Sequence, residues 1–291
     1  MVAGINIKTY FNGTWHDENS LVMRAADHGA WLGSNVFDGA RYAFGIAPDL
    51  DFHCQRVNNS AISLGITPTK TPEEIQEIAI EGLKLYPQDS AVYIRPMYWA
   101  IDGGHMAVIP KEGSTGFCIC LEEIPMPPDE ATLTLTTTQF HRPVLASALV
   151  NAKAGCLYPN NGRMLREAIT KGFDNALVAD AMGNVAETAT SNIFMVKDGI
   201  VKTPIENGTF LAGVTRKRVI SLLRDEGYDV KESVLTFEDF HDADEVFTTG
   251  NMAKVVPVTR FDDTYFQAGS VAREAKKLYW NWAHRVCSRI I

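Results

Sequence analysis

No stretch of the chain comes near the ~20 consecutive apolar residues that span a bilayer. The opening MVAGINIKTYFNG also lacks a basic segment followed by an apolar one, so neither a membrane span nor a secretory signal is expected. Positive charge is in short supply: 27 Lys and Arg stand against 35 Asp and Glu, leaving a formal net charge of -8. Nucleic acid and anionic membrane would both be repelled by the average surface, and neither is expected as a partner. Cysteine is scarce and odd in number. The five residues, Cys54, Cys118, Cys120, Cys156 and Cys287, are too scattered for a disulfide framework and point to a reducing, cytoplasmic setting. No Cys or His cluster has the spacing of a metal site. Cys118 and Cys120, two apart in GFCICL, therefore read as thiols on one face of a strand. Repeats, low-complexity tracts and charge blocks are missing too.

What remains is the composition of a soluble globular protein, 46% hydrophobic and 21% charged, in 291 residues, enough for one large domain or two ordinary ones. IKTYFNGTW reads as a hairpin turning at Asn12-Gly13. Thr71-Pro72-Glu73-Glu74 carries a capping box with proline at the first helical position, opening a helix that should run to about Tyr86. AVYIRPMYWAI and GFCICLEEI look like strands. PMPPDE, from Pro125 to Glu130, is the best linker candidate, and TLTLTTT beyond it is a further strand. One helix is expected from near Pro159 to Gly172, burying Met164, Leu165, Ala168 and Ile169. A second is expected from Val214 to Gly227, burying Val219, Leu222 and Leu223, and a last one over Val271 to His284. Short strands (NALVAD, NIFMVKDGIV, DEVFTT) surround them. Strands arrive in runs rather than in strict alternation with helices, which predicts an α+β fold with mixed sheets. The expected division is a small N-terminal domain over 1–125, a linker at 126–131 and a larger domain over 132–291.

Lys153, in NAKAGCLYPNNGR, sits among small and turn-forming residues with no charged neighbour before Arg163. By composition a lysine is solvated or snorkelling. Here Ala152, Ala154 and Gly155 leave room for a planar group, and a desolvated lysine becomes a usable base or nucleophile. Glu187, in GNVAETATSNIF, reads on its own as a solvated turn carboxylate. Gly213-Val214-Thr215 opens a helix whose free N–H groups and threonine hydroxyl could hold a phosphate, although Thr215 could equally be a simple cap. The Thr-Thr-Gly-Asn turn ending at Asn251 is another place for backbone N–H groups to cradle an anion.

Taken in order, three motifs resemble the fold-type IV, or class IV, pyridoxal-phosphate aminotransferases, most closely the branched-chain amino-acid enzymes. They are the NAKAG lysine motif, E-x-x-x-x-N-x-F from Glu187 to Phe194, and L-x-G-V-T-R from Leu211 to Arg216. The resemblance runs from FNGTW to the C-terminal helix. It implies a two-domain architecture like that of D-amino-acid aminotransferase, with the larger domain carrying the lysine. By resemblance, Lys153 would form the internal aldimine with pyridoxal 5′-phosphate and shuttle the proton between the substrate α-carbon and C4′. Glu187 would hold the pyridine nitrogen, Tyr158 the phenolic oxygen, and Arg56, Val214 and Thr215 the phosphate. Tyr93 and Arg95 match a Y-x-R pair that recognises substrate carboxylates. Phe37 and Arg41 fall at the pocket-lining and nearby charged positions of GSNVFDGARY, where Asp38 replaces the usual glutamate.

Two departures fall in the substrate pocket. Leu32 stands where the branched-chain enzymes carry tyrosine, with Trp31 next door, and Gly250-Asn251-Met252 replaces the usual G-T-A turn. Asn251 could serve cofactor or substrate. The implied function is ping-pong transamination between a branched-chain L-amino acid and 2-oxoglutarate, in branched-chain amino-acid biosynthesis, by a homodimer or a dimer of dimers. An (R)-selective amine or D-amino-acid transaminase is the alternative within the fold. Aminodeoxychorismate lyase is disfavoured by the Y-x-R pair, and a non-catalytic binding protein by the presence of both Lys153 and Glu187.

Overall fold

Asn12 and Gly13 both take positive φ, 51° and 84°, the backbone that a tight hairpin turn demands. They join β1 (Ile5–Phe11) to β2 (Thr14–His16) in the computed structural model, which describes residues 4–290. The chain forms two compact units: one takes in the chain up to Met126, Ala152–Cys156 and the residues from Val286 onward; the other takes Pro127–Asn151 and Leu157–Arg285. The expected domain boundaries treat the chain as consecutive blocks, whereas these units interleave. Ala152–Cys156, expected within the larger C-terminal domain, groups with the first unit because Ala154 pairs with Val36.

In the first unit, helix α1 (His28–Trp31) precedes β3 (Asn35–Phe37) and β4 (Ala40–Tyr42). Helices α2 (Leu50–Ser63) and α3 (Pro72–Leu83) follow, then β5 (Val92–Ala100) and β6 (Thr115–Glu123). The strands make a six-stranded sheet in the order β2-β1-β6-β5-β3, with β4 also on β5, antiparallel throughout. Pro96 has no N–H for a ladder and lies opposite the break between β3 and β4, where the Asp38 N–H donates to the Pro96 carbonyl at 3.0 Å. Along β5, Val92, Ile94 and Tyr98 are buried, while Tyr93, Arg95 and Met97 are half-buried on the opposite face. The capping box at Thr71 and Glu74 forms as expected. The helix stops at Leu83, not Tyr86. The Tyr86 hydroxyl is drawn to two strand carbonyls, Asn6 at 2.7 Å and Leu121 at 3.1 Å.

The second unit runs β7 (Leu133–Thr137), α4 (Tyr158–Thr170), β8 (Asn175–Ala179), β9 (Val185–Thr188), β10 (Asn192–Lys197) and β11 (Ile200–Pro204). It continues with α5 (Val214–Asp225), β12 (Val230–Ser233), α6 (Phe237–His241), β13 (Glu245–Gly250), β14 (Lys254–Phe261), β15 (Thr264–Tyr265) and α7 (Ser270–Val286), the last in this unit as far as Arg285. Its nine strands form one mixed sheet, β12-β11-β10-β13-β14-β7-β8-β9 with β15 on β14, parallel at β11–β12, β14–β7 and β7–β8. β10 is apolar without alternation because both its faces are covered. Phe194 and Val196 pack with Val219, Leu223 and Tyr279 of α5 and α7, while Ile193 and Met195 pack with Phe240 of α6. In α4, Met164 and Ala168 are buried, but Ile169, expected on that face, is 61% exposed. One residue beyond Ala168 is a turn of about 100° around the helix, which carries Ile169 off the buried stripe.

Candidate active site

In the first unit the lysine segment makes a single antiparallel bridge to β3. Ala154 pairs with Val36, the Phe37 N–H donates to the Lys153 carbonyl at 3.1 Å, and the Lys153 N–H donates to Ser60 Oγ at 3.0 Å. The small neighbours, expected to make room for a planar group, have a packing reason here. A Cβ on Gly155 would lie 2.0 Å from Asn35 Oδ1, and Ala154 is fully buried. Lys153 stands opposite Phe37 in this pairing, and its Nζ lies 5.0 Å from the Phe37 ring centroid. Residues paired across antiparallel strands share a face. Phe37 pairs with Met97, Arg41 with Tyr93, and Arg95 with Cys120, so Phe37, Tyr93, Arg95 and Lys153 share one face of this sheet.

Three arginines expected in the site have protein partners. Arg56 grips the fully buried Asp38 at both oxygens (Nε to Oδ2 2.6 Å, Nη2 to Oδ1 2.8 Å), and His53 Nδ1 lies 2.7 Å from Asp38 Oδ1. Burial alone would raise the Asp38 pKa. The charges and hydrogen bonds of Arg56 and His53 outweigh it and hold the carboxyl well below the usual carboxylate range. Arg95 forms an ion pair with Glu122 at 2.5 Å, and its guanidinium carbon lies 5.1 Å from the Tyr93 ring centroid. Burial opposes the Arg95 charge, yet Tyr93 and Glu122 raise its pKa overall. Arg41 is wholly buried. It donates to the Ile124 carbonyl and, at 2.9 Å, to that of Pro125, tying down the chain that leaves β6, and burial brings its pKa down to about 10. Trp31 and Leu32, at the end of α1, are 58% and 39% exposed.

In the second unit Glu187 is buried, not a solvated turn residue. Arg142 Nη2 donates to one carboxylate oxygen, and Asn192 Nδ2 donates to the other at 3.1 Å. Arg142 Nη1 donates to Asn161 Oδ1 at 2.7 Å. Arg142 had no signal in the sequence: 45 residues separate it from Glu187, and an arginine before a proline reads as a loop residue. Tyr158 begins α4, with Pro159 as its second residue.

Gly213 caps α5 without a side-chain hydrogen bond among the described residues, so Val214 and the buried Thr215 lie in the first turn and Thr215 is not the cap. A Cβ on Gly213 would lie 2.1 Å from Asn192 Oδ1, so glycine is what lets this helix start approach β10. Asn192 in turn pairs with Thr249 of β13, which brings that threonine to the same face. Thr249 Oγ1 and Asn251 Nδ2 are buried and have no hydrogen-bond partner among the described residues. Asn251 Oδ1 accepts from Lys254 Nζ at 2.8 Å. Met252 is half-buried in the same turn. This corner combines an uncapped helix start with two unpaired buried donors, which is chemistry for an anion.

The two-sheet α+β architecture is that of the fold-type IV aminotransferases. A crystal structure of an aminotransferase from Brucella abortus bound to the cofactor PLP superposes with a TM-score of 0.94 at 55% identity, covering 96% of this chain and 99% of that one. The branched-chain amino acid aminotransferase of T.th., complexed with N-(5′-phosphopyridoxyl)-L-glutamate, gives 0.89 at 27% identity, covering 100% of both chains. A Methanocaldococcus jannaschii protein, provisionally named a branched-chain-amino-acid aminotransferase, is 35% identical over 277 residues, 94% of each chain. Residues 35–261 match the family model for amino-transferase class IV, and the chain belongs to that family.

Asp38 offers a direct check on this geometry. The folded carboxyl keeps its charge to lower pH than the unfolded one, so the stability it contributes is present above about pH 4 and is lost as pH falls through its depressed folded value. Asp38→Asn leaves the half-buried Arg56 guanidinium without its counter-charge and should cost about 3 kcal/mol at pH 7. In urea unfolding from pH 7 to 3 the gap between variant and wild type should narrow below about pH 4.

Proposed function

We propose that this aminotransferase, which works with pyridoxal 5′-phosphate, moves an amino group between a branched-chain L-amino acid and 2-oxoglutarate by a ping-pong mechanism. Most of the support for the cofactor comes from the buried Glu187 carboxylate, held by Arg142 at one oxygen and Asn192 at the other. A buried carboxylate paired with a guanidinium suits a cationic ring nitrogen. The anion corner of the second unit fits a phosphate, since α5 starts at Gly213 without a side-chain cap and Thr249 and Asn251 each offer a buried side-chain donor with no partner among the described residues.

When bound, pyridoxal phosphate supplies an aldehyde that takes the amino group and a ring that accepts the electron pair left by the departing α-proton. Lys153 would hold the cofactor through its Nζ and, once released, would move the proton between the substrate α-carbon and C4′. Phe37 lies beside its Nζ and lines the space around it. Glu187 would hold the ring nitrogen and keep it protonated, and Tyr158 would donate to the phenolic oxygen. Asn251 would serve either the phosphate or a substrate carboxylate, and Val214 and Thr215 would bind the phosphate. Arg56, its guanidinium oriented by Asp38, contributes charge to the same group.

Tyr93 and Arg95 are assigned to substrate carboxylates, with Arg95 serving the distal carboxylate of glutamate. The T.th. enzyme's complex with phosphopyridoxyl-L-glutamate and the names of the similar proteins support this substrate pair. Two observations favour a second reading, an (R)-selective amine or D-amino-acid transaminase. Arg95 is already neutralised by Glu122, and Leu32 and Met252 stand where the branched-chain enzymes have tyrosine and alanine. The assembly in this proposal is a homodimer, supported by large apolar side chains left exposed on the first unit, among them Trp31, Met106, Val108 and Ile109. A cytoplasmic setting is supported by five free cysteines. Among the described residues no helix is long and apolar enough to cross a membrane.

Borohydride treatment of the reconstituted enzyme should fix the cofactor to the peptide containing Lys153, read by mass spectrometry, and Lys153→Ala should capture none. Wild type without an adduct would refute the aminotransferase proposal. In a half-reaction panel, L-leucine and L-glutamate should each convert the cofactor to its pyridoxamine form, and response only to D-alanine or an (R)-arylalkylamine would move the assignment to the second reading. Sedimentation of the active species should give the mass of a dimer; an active monomer contradicts that part.

A further inference from the structure

The turn between β13 and β14 contains a costly residue. Lys254 is 1% exposed and takes φ +64°, a left-handed conformation in which glycine or asparagine is the usual occupant. It pairs with Gly250 across the turn, closing a three-residue loop of Asn251, Met252 and Ala253. Three-residue hairpin loops commonly end on a left-handed residue. This chain places a lysine there and buries it, so the position carries both backbone strain and the cost of removing an ammonium from water.

The contacts of Lys254 show what the strain serves. Its Nζ donates to Asn251 Oδ1 at 2.8 Å and lies 5.4 Å from the Tyr279 ring centroid. An ammonium has three donors and no acceptor, so the amide atom facing it is the oxygen. That removes the ambiguity that attends most asparagine side chains. The Nδ2 group is therefore turned away from Lys254, and it is buried and unpartnered among the described residues, as is Thr249 Oγ1 two residues earlier. A threonine at position 251, as in the G-T-A turn, needs no such lock because its hydroxyl rotates to suit its acceptor. An amide presents its donor on one side only, and an unlocked amide could as well present its oxygen to an anion.

We propose that Lys254 is a positioning residue that pins the Asn251 amide so that Nδ2, with Thr249 Oγ1, donates to an anionic group of the bound reactants. The group is either the cofactor phosphate or the substrate carboxylate, and the proposal rests on the aminotransferase function above. Lys254 acts through Asn251, and the lysine and asparagine form one functional unit.

The test is a double-mutant cycle of Lys254→Met and Asn251→Thr. It is read by the dissociation constants of pyridoxal phosphate and inorganic phosphate from the apoenzyme, and by substrate KM against kcat. Lys254→Met alone should weaken anion binding about tenfold. In the Asn251→Thr background it should add less than about twofold, because no amide remains to be oriented. A loss confined to the two phosphate ligands assigns the phosphate; a raised KM with cofactor affinity unchanged assigns the carboxylate. An equal loss in both backgrounds, or no loss in either, overturns the proposal. Asn251→Asp guards against misfolding of the lysine variant. It keeps a partner for Lys254 and replaces the donor with an acceptor, so it should lose at least about tenfold in anion affinity while unfolding at or above the wild-type temperature; wild-type affinity overturns the proposal. Borohydride capture on wild-type Lys153 separates the two levels. Capture with an uncoupled cycle removes only the Lys254 proposal, and no capture removes the aminotransferase function as well.

Discussion

Five residues of chain, Ala152–Cys156, are held in the first unit by their bridge to β3, and Lys153 is held with them. Two hydrogen bonds, from the Phe37 N–H to the Lys153 carbonyl and from the Lys153 N–H to Ser60 Oγ, fix the register. Strand alternation then decides where the lysine goes. Ala154 turns to the packed face opposite Val36, and Lys153 must turn to the face of Phe37, Tyr93 and Arg95. A slip of one residue would bury the ammonium among apolar side chains and put an alanine in its place. Gly155 guards the register, since any side chain there runs into Asn35.

Buried charge is the second organising constraint. Asp38, Glu187 and Lys254 are all removed from water, and each is held by a partner that also fixes its orientation. A lone buried charge would neutralise or unfold the chain, so each functional group comes with a supporting one. The same rule explains Arg41 and Arg216. Arg41 is taken up by the carbonyls of Ile124 and Pro125. Arg216, in the motif that follows the α5 N-terminus, is taken up by the Pro204 carbonyl and the carboxylates of Glu206 and Glu232. Neither guanidinium is exposed. An arginine in a family motif can thus serve the framework that carries the site rather than a ligand.

Local rules were sufficient wherever the structure is decided by neighbours along the chain. The Asn12-Gly13 hairpin, the Thr71 capping box, the α4 and α5 helices and the strands around NIFMV were all legible, because turns, caps and periodicity depend on a handful of adjacent residues. Lys153 stood out for the same reason, through the unusual smallness of its neighbours. Legibility failed where a partner is distant. Glu187 read as solvated because Arg142 is 45 residues away, and nothing local announces that a loop arginine will be buried against it. Ile169 was placed on the buried stripe of α4 because apolar character marks a stripe only to within a residue. Asn251 was visible as a polar residue in a turn, while the orientation of its amide depends on Lys254 across the hairpin.

By itself, then, the sequence determined the elements and the α+β class, which follow from short-range backbone preferences, and it singled out Lys153 as the candidate for the reactive lysine through its small neighbours and the motif it belongs to. Tertiary structure decided which face Lys153 occupies, which oxygens of Glu187 and Asp38 are engaged, and which side of Asn251 donates. Those are properties of charges and hydrogen bonds in a low-dielectric interior. Their energies depend on separation in space, which the order of residues leaves open until the sheets have formed.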